Sequence, residues 1–180
     1  MIRWASAADT ESIARVQVAS WIGVYRGLLP DSVIDRLTVE TRTAEWNRFF
    51  ADPPPRSAMF VAEHRGEVVG MAQVGPTRDE DLDGDRIGEV LAIYVTPDHW
   101  DHGHGRELIE QSLAWLRDSG FFAATLWVLD TNARGRAFHE AGGWRLDDAT
   151  KVDEVFGESL SEVRYRIGLP GKSRVPSRES

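Results

Sequence analysis

The chain has 180 residues, 42% of them hydrophobic and 28% charged, with a formal net charge of −8 and no cysteine. That is enough for one domain with a real core, and the missing cysteines exclude disulfides, thiolate metal sites and a thiol nucleophile. The negative charge argues against a general nucleic-acid binder and tilts toward cationic small partners.

The N-terminus, MIRWASAADTES, has no basic head followed by an apolar run, so no secretory signal is expected. The longest apolar stretch, FFAATLWVL, is too short to span a bilayer. A cytoplasmic protein with no membrane partner is the expectation.

In chain order, Ile2 to Ala5 alternates like a short strand. Ser6, with Asp9 three residues later, predicts a capping box opening a helix to about Tyr25. Pro30 starts a short helix through Leu37, and VETRTAEWNRFF predicts a third, stopped by Pro53 to Pro55. MFVAE and VVGMAQVG flank His64-Arg65-Gly66-Glu67 and predict a hairpin, with His64 in the turn. The run Asp79, Glu80, Asp81, Asp83, Asp85 lacks calcium-loop spacing and is expected to be a solvated loop attractive to a cationic substrate.

IGEVLAIYV predicts a strand and PDHWDHGHG a loop. Residues 104–119 predict a helix with an apolar stripe at Leu108, Ile109, Leu113 and Leu116, closed by Gly120. FFAATLWVL is apolar throughout, which predicts a buried strand. A helix over 132–141 and two closing strands near 144–155 and 161–167 complete the order. The fold class is therefore α+β: a mixed, mostly antiparallel sheet flanked by helices, with one parallel strand–helix–strand crossover. Residues 1–169 are expected to form a single domain and 170–180 a polar, loosely ordered tail. Seven tryptophans and an edge strand would suit a homodimer.

The chemistry centres on the crossover. Gly103 and Gly105 let backbone amides approach an anion closely, and the helix that starts there adds unpaired N–H donors and the positive end of its dipole. Arg106 in the first turn fits a bound anion better than it fits the bare dipole. The stretch reads as a phosphate or pyrophosphate cradle. GHGREL lacks the third glycine of a dinucleotide fingerprint, although Asp130 lies about where a ribose-binding acid could fall. A P-loop is excluded, because no Gly-Lys-Ser/Thr occurs. His99, His102 and His104 could suggest a metal, with Asp101 as a fourth ligand. Ligands so close in sequence, with glycines between them, suit a metal poorly, so no metal is expected and the three imidazoles are expected as bystanders on the loop's outer face.

YVTPDHWDHGHGRELIEQSL resembles the acyl-coenzyme A loop of the GNAT superfamily of N-acetyltransferases, and LWVLDTNARGRAFHEAGGWR resembles that family's next strand and helix. VRYRI and SWIGVYRGLLPD also fit the family. The resemblance implies a GNAT-like fold and acetyl-coenzyme A as co-substrate. It implies that backbone groups of Ile93 and Val95 pair with the pantetheine arm, that amides of His102, Gly103, His104, Gly105 and Arg106 hold the pyrophosphate, and that Asn132 bonds the cofactor. The acceptor, a primary amine of a small molecule or peptide, would meet a wall containing Trp21, Tyr25 and Arg26.

Three positions depart from the family pattern. Trp100 stands where an Arg or Gln is usual, which throws more of the pyrophosphate onto backbone donors. Asp101 replaces a frequent glycine, so its carboxylate must point away from the phosphates. His139 stands where the family often has the tyrosine credited with protonating the departing thiolate. A histidine with an ordinary pKa could donate that proton; alternatively it is a helix histidine satisfied by a neighbouring carbonyl.

Glu89, expected on one strand face with Leu91, Ile93 and Val95, is the candidate base that removes a proton from the attacking ammonium; a water relay is the alternative. The implied activity is N-acetyl transfer by direct attack in a ternary complex. The alternative is a non-catalytic acyl-coenzyme A sensor. Trp46, Trp115 and Trp127 are expected in packing roles, and Arg134 and Arg136 on a solvated helix face or at a 3′-phosphate.

Overall fold

The computed structural model describes residues 1–26, 30–155 and 157–170. Of the tail expected over 170–180, residues 171–180 lie outside them. In chain order the elements are β1 (Ile2–Trp4), α1 (Thr10–Tyr25), α2 (Asp31–Ile34), α3 (Val39–Ala51), β2 (Ala58–His64), β3 (Glu67–Pro76), β4 (Ile87–Val95), α4 (His104–Asp118), β5 (Ala123–Leu129), α5 (Ala133–Ala141), β6 (Arg145–Val155) and β7 (Glu158–Gly168).

Local chemistry sets the ends of these elements. The capping box forms, with Asp9 Oδ2 accepting from Ser6 N at 2.8 Å. Thr38 caps α3 by accepting from Thr41 N, and the chain leaves that helix just before Pro53 to Pro55. The β2–β3 hairpin turns on Arg65 and Gly66, both at positive φ, which is two-residue turn geometry. His64 is thus not in the turn; it closes the ladder opposite Glu67.

The strands form one mixed sheet in the order β1-β2-β3-β4-β5-β7-β6, with β4 and β5 parallel and every other neighbouring pair antiparallel. One face carries Phe60, Ala72, Val74, Val90 and Leu126 against Leu108, Ile109 and Leu116 of α4. The other carries Met59, Val61 and Met71 against Ile13 and Val16 of α1 and Trp46, Phe49 and Phe50 of α3. Burial of apolar side chains on both faces is the main favourable term holding the layers together.

Two features of the sheet create a cleft. β4 and β5 share only the rungs Ile87–Ala123, Gly88–Ala124 and Glu89–Thr125; beyond them β4 stays with β3 and β5 stays with β7. The β3–β4 register also shifts, from Gln73–Ala92 to Val74–Val90, so Leu91 is an extra residue in β4. The bulge reverses which way the side chains alternate. Val90 packs with Ile93 and Val95, whereas Ala92 and Tyr94 pack on the α1–α3 face. Glu89 therefore shares the face of Ala92 and Tyr94, and the expected common face with Ile93 and Val95 is wrong. A strict two-residue period cannot survive an inserted residue.

The acidic stretch is not a free solvated loop either. Arg164 on β7, only 4% exposed, bonds Asp79 at 3.0 Å, Asp81 at 2.8 Å and Asp147 at 3.1 Å. Asp79 also accepts from Trp127 Nε1 at 3.1 Å. A buried guanidinium with carboxylates around it pins this loop to the C-terminal strands.

Candidate active site

The space between the diverging β4 and β5 is a cavity of about 820 Å³. It is walled by β4 from Glu89 to Val95, β5 from Leu126 to Leu129, the loop ahead of α4, the start and body of α5, and the end of α1. It thus joins two chemically different halves.

The first half is built for an anion. Gly103 has φ +86, a conformation that costs any residue with a Cβ, and it precedes α4 directly. The first helical bond of α4 runs from Glu107 N to Gly103 O, so the amides of His104, Gly105 and Arg106 are those the helix start leaves for an outside acceptor. A Cβ on Gly105 would stand 3.3 Å from Phe138 of α5, so helix and loop approach closely there. A pyrophosphate fits this loop. Gly103, Gly105 and Arg106 line the cavity, whereas the side chains of His102 and His104 do not belong to its wall.

Of the three clustered imidazoles, His102 is exposed, whereas His104 is placed differently from expectation. His104 is buried, both its ring nitrogens lack a hydrogen-bond partner among the described residues, and its ring lies 5.5 Å from that of His64 and 6.1 Å from that of His99. Burial pulls its pKa down. It is a packed neutral ring, not a bystander on the outer face of the loop. Among the described residues no group of three His, Asp or Glu side chains is arranged to hold a metal.

Trp100 and Asp101, the two departures in the loop, have partners that sequence reading missed. Trp100 Nε1 donates to Val95 O at 2.8 Å, which ties the loop to the end of β4 and engages one of the backbone groups expected to meet pantetheine. Arg134 of α5 lies over the Trp100 ring at 4.5 Å and bonds Asp101 at 2.8 Å. A guanidinium from another element therefore stands where residue 100 brings none, and it holds the Asp101 carboxylate. Arg136, by contrast, bonds the Tyr165 hydroxyl and the Asp130 carbonyl. Asn132 also lines the cavity; its Oδ1 accepts from Gly135 N at 2.9 Å as the cap of α5, leaving its Nδ2 protons and the second Oδ1 lone pair for a ligand.

The second half carries charge of both signs. Glu89 is 2% exposed, and its carboxylate accepts from Arg78 N at 3.0 Å, Arg78 Nη2 at 3.2 Å and Thr77 Oγ1 at 3.4 Å. Across the cleft, Lys151 lies 3.0 Å from Glu162 and 3.2 Å from Asp153. Burial pushes the Glu162 carboxyl up even against the pull of Lys151. Trp21 and Tyr25 line this half, and their rings meet edge to face at 5.0 Å. Arg26 is exposed and is not part of the wall. Trp127 is a wall residue rather than simple packing.

His139 lines the cavity and is 6% exposed, with Nδ1 buried and without a hydrogen-bond partner among the described residues. Burial pulls its pKa down to about 4. The ring is therefore neutral near pH 7, so the partly protonated imidazole that sequence alone suggests is not the resting form. Neither a neighbouring carbonyl nor a carboxylate satisfies Nδ1.

Residues 21–144 match the family model described as Acetyltransferase (GNAT) family. An uncharacterized N-acetyltransferase of Bacillus subtilis, YuaI, is 30% identical over 97% of this chain and 95% of its own length. The L-amino acid N-acyltransferase MnaT of Escherichia coli is 28% identical over 70% of this chain and 79% of its own. Among solved structures, YncA of Salmonella typhimurium, a putative acetyltransferase with its cofactor acetyl-CoA, matches with a TM-score of 0.68 at 22% identity, covering 99% of this chain and 98% of that one. The PaiA N-acetyltransferase of Thermoplasma acidophilum, in complex with coenzyme A, has a TM-score of 0.69 at 18% identity, covering 93% of this chain and 98% of that one.

Proposed function

The chain belongs to the GNAT acetyltransferase family, and we propose that it moves the acetyl group of acetyl-coenzyme A onto a primary amine of a small molecule or peptide. The transfer is a direct attack in a ternary complex, carried out by residues 1–169 as one domain. The observation that carries this reading is the splay of β4 from β5 after Glu89 and Thr125, which opens one cavity from the anion cradle to the buried Glu89. Bound there, the thioester supplies an activated acetyl carbonyl.

The chain's residues supply the rest. Amides at the start of α4, with Arg106 and Arg134 nearby, hold the diphosphate; Gly103 and Gly105 keep its path clear. Open backbone groups of β4 around Ile93 pair with the amide-bearing arm as an added strand, with Val95 already partly engaged by Trp100. Glu89 accepts the proton that the incoming ammonium must lose, and Arg78 fixes the direction of its carboxylate. His139, neutral and buried, offers an N–H hydrogen bond to the leaving sulfur in place of a full proton at neutral pH. The zero cysteine count leaves no thiol to carry the acyl group.

MnaT, by its name, acylates L-amino acids; the mixed charges at the mouth of this cleft make small zwitterionic amines the first acceptors to test. Purified protein with acetyl-coenzyme A and a panel of amino acids, polyamines and peptides should release coenzyme A thiol with at least one amine. Cofactor binding without thiol release on any amine would leave the sensor alternative.

A further inference from the structure

Of the chain's 21 lysines and arginines, only Lys151 and Lys172 are lysines. Lys172 lies outside the described residues, whereas Lys151 forms part of the cleft wall. Its ammonium sits 3.0 Å from Glu162 and 3.2 Å from Asp153, and 4.7 Å from the centre of the Trp127 ring. Two carboxylates and an aromatic face are the groups by which a cleft captures a primary ammonium. Here the chain fills that seat with its own amine. Trp127 follows Thr125 by two residues, at the point where β4 and β5 have parted. The seat is thus beside the splay, and the Lys151 side chain keeps 32% of its surface exposed.

We propose that Lys151 is a self-acetylation site, its Nζ taking the acetyl group in cis when no acceptor amine fills the cleft. The inference rests on reading this cleft as an acetyl-transfer site. The Lys151 ammonium gives one proton to the Glu162 carboxylate beside it as Nζ attacks the acetyl carbonyl carbon. A C–N bond forms and the C–S bond breaks; a second proton from Nζ ends on the departing thiolate. The products are N-acetyl-lysine, coenzyme A and the proton that Glu162 returns to water. Glu162 is the nearer carboxylate, and its burial favours the protonated form; the same two carboxylates hold Lys151 above the ordinary lysine range, so the proton moves to Glu162 only as Nζ attacks. Acetylation cancels the Lys151 charge and frees Glu162 and Asp153 at the acceptor mouth. The modified cleft is one charge more negative and selects more strongly for cationic amines.

The test is full-length protein incubated with acetyl-coenzyme A alone, digested and read by peptide mass spectrometry. One acetyl group on Lys151 is expected, at a rate independent of protein concentration and suppressed by excess coenzyme A. Lys151→Arg should remove it without moving the thermal midpoint, and Glu162→Gln should slow it by about 10²-fold or more. Equal labelling of Lys151 and Lys172 would mean plain chemical acetylation and overturn the proposal; a rate that rises with protein concentration would overturn the cis route. An unmodified Lys151 in protein that acetylates a free amine defeats this inference alone. No acetyl on the protein or on any amine defeats the proposed function with it.

Discussion

Glu89 and Thr125 form the last rung that β4 and β5 share, and the cleft opens directly beyond them. A carboxylate that is 2% exposed thus ends up at the inner end of a cavity of about 820 Å³, aimed by Arg78. Replacing it by Gln keeps the shape and removes the base. Glu89→Gln should lower kcat by about 10²- to 10⁴-fold and leave the Kd for coenzyme A within a factor of about two. Steady-state rates paired with calorimetric titration of coenzyme A check both halves of that statement. Equal losses in rate and cofactor affinity would make Glu89 a structural carboxylate.

Arg134 reaches the pyrophosphate loop from α5, through the Trp100 ring and Asp101. Arg134→Gln removes that cation, and coenzyme A should bind about tenfold more weakly, with a shallower dependence of log Kd on salt. A salt series with wild type and variant measures the slope directly. An unchanged slope would place Arg134 outside the phosphate field.

Gly103 occupies the left-handed region at φ +86. Gly103→Ala should cost about 1 kcal/mol in the folded loop and weaken coenzyme A about fivefold or more, because the amides that follow no longer point the same way. Binding titration against Gly120→Ala, also at positive φ but at the far end of α4, separates loss of the cradle from general strain.

The buried His139 ties stability to pH. Its pKa falls from the ordinary 6.5 to about 4 on folding, so the unfolded chain binds the proton more tightly. Its neutral form therefore costs nothing above pH 6.5, and stability is lost as pH falls from 6.5 toward 4. The loss from this group reaches about 3 kcal/mol at pH 4. Urea melts of wild type and His139→Phe at pH 7 and pH 4 should show a smaller drop for the variant. Equal drops would mean that the ring is not held neutral.

Much of this site is written locally in the chain, and that part was readable. The Gly103 and Gly105 pair at the site, like the Ser6–Asp9 box that opens the first helix, acts within a few residues, so spacing alone places it; that Asn132 caps α5 was not read. What could not be read depends on distant partners. The face of Glu89 is set by a bulge at Leu91 that exists only in register with β3. The acidic loop is fastened by Arg164, whose bond to Asp79 spans 85 residues. His104 is buried because His64 arrives from another strand, and Arg134 meets Asp101 only when α5 packs beside the loop. One signal lies in the composition itself: in an arginine-rich chain with two lysines, the position of Lys151 is informative.

Initial rates of thioester cleavage, measured while acetyl-coenzyme A and an active amine are both varied, test the central claim most directly. Direct transfer in a ternary complex predicts double-reciprocal lines that intersect, with thiol release absent until the amine is added, apart from at most one turnover per chain onto Lys151. Parallel lines, with a stoichiometric burst of thiol and the acetyl group found on a residue other than Lys151, would contradict it.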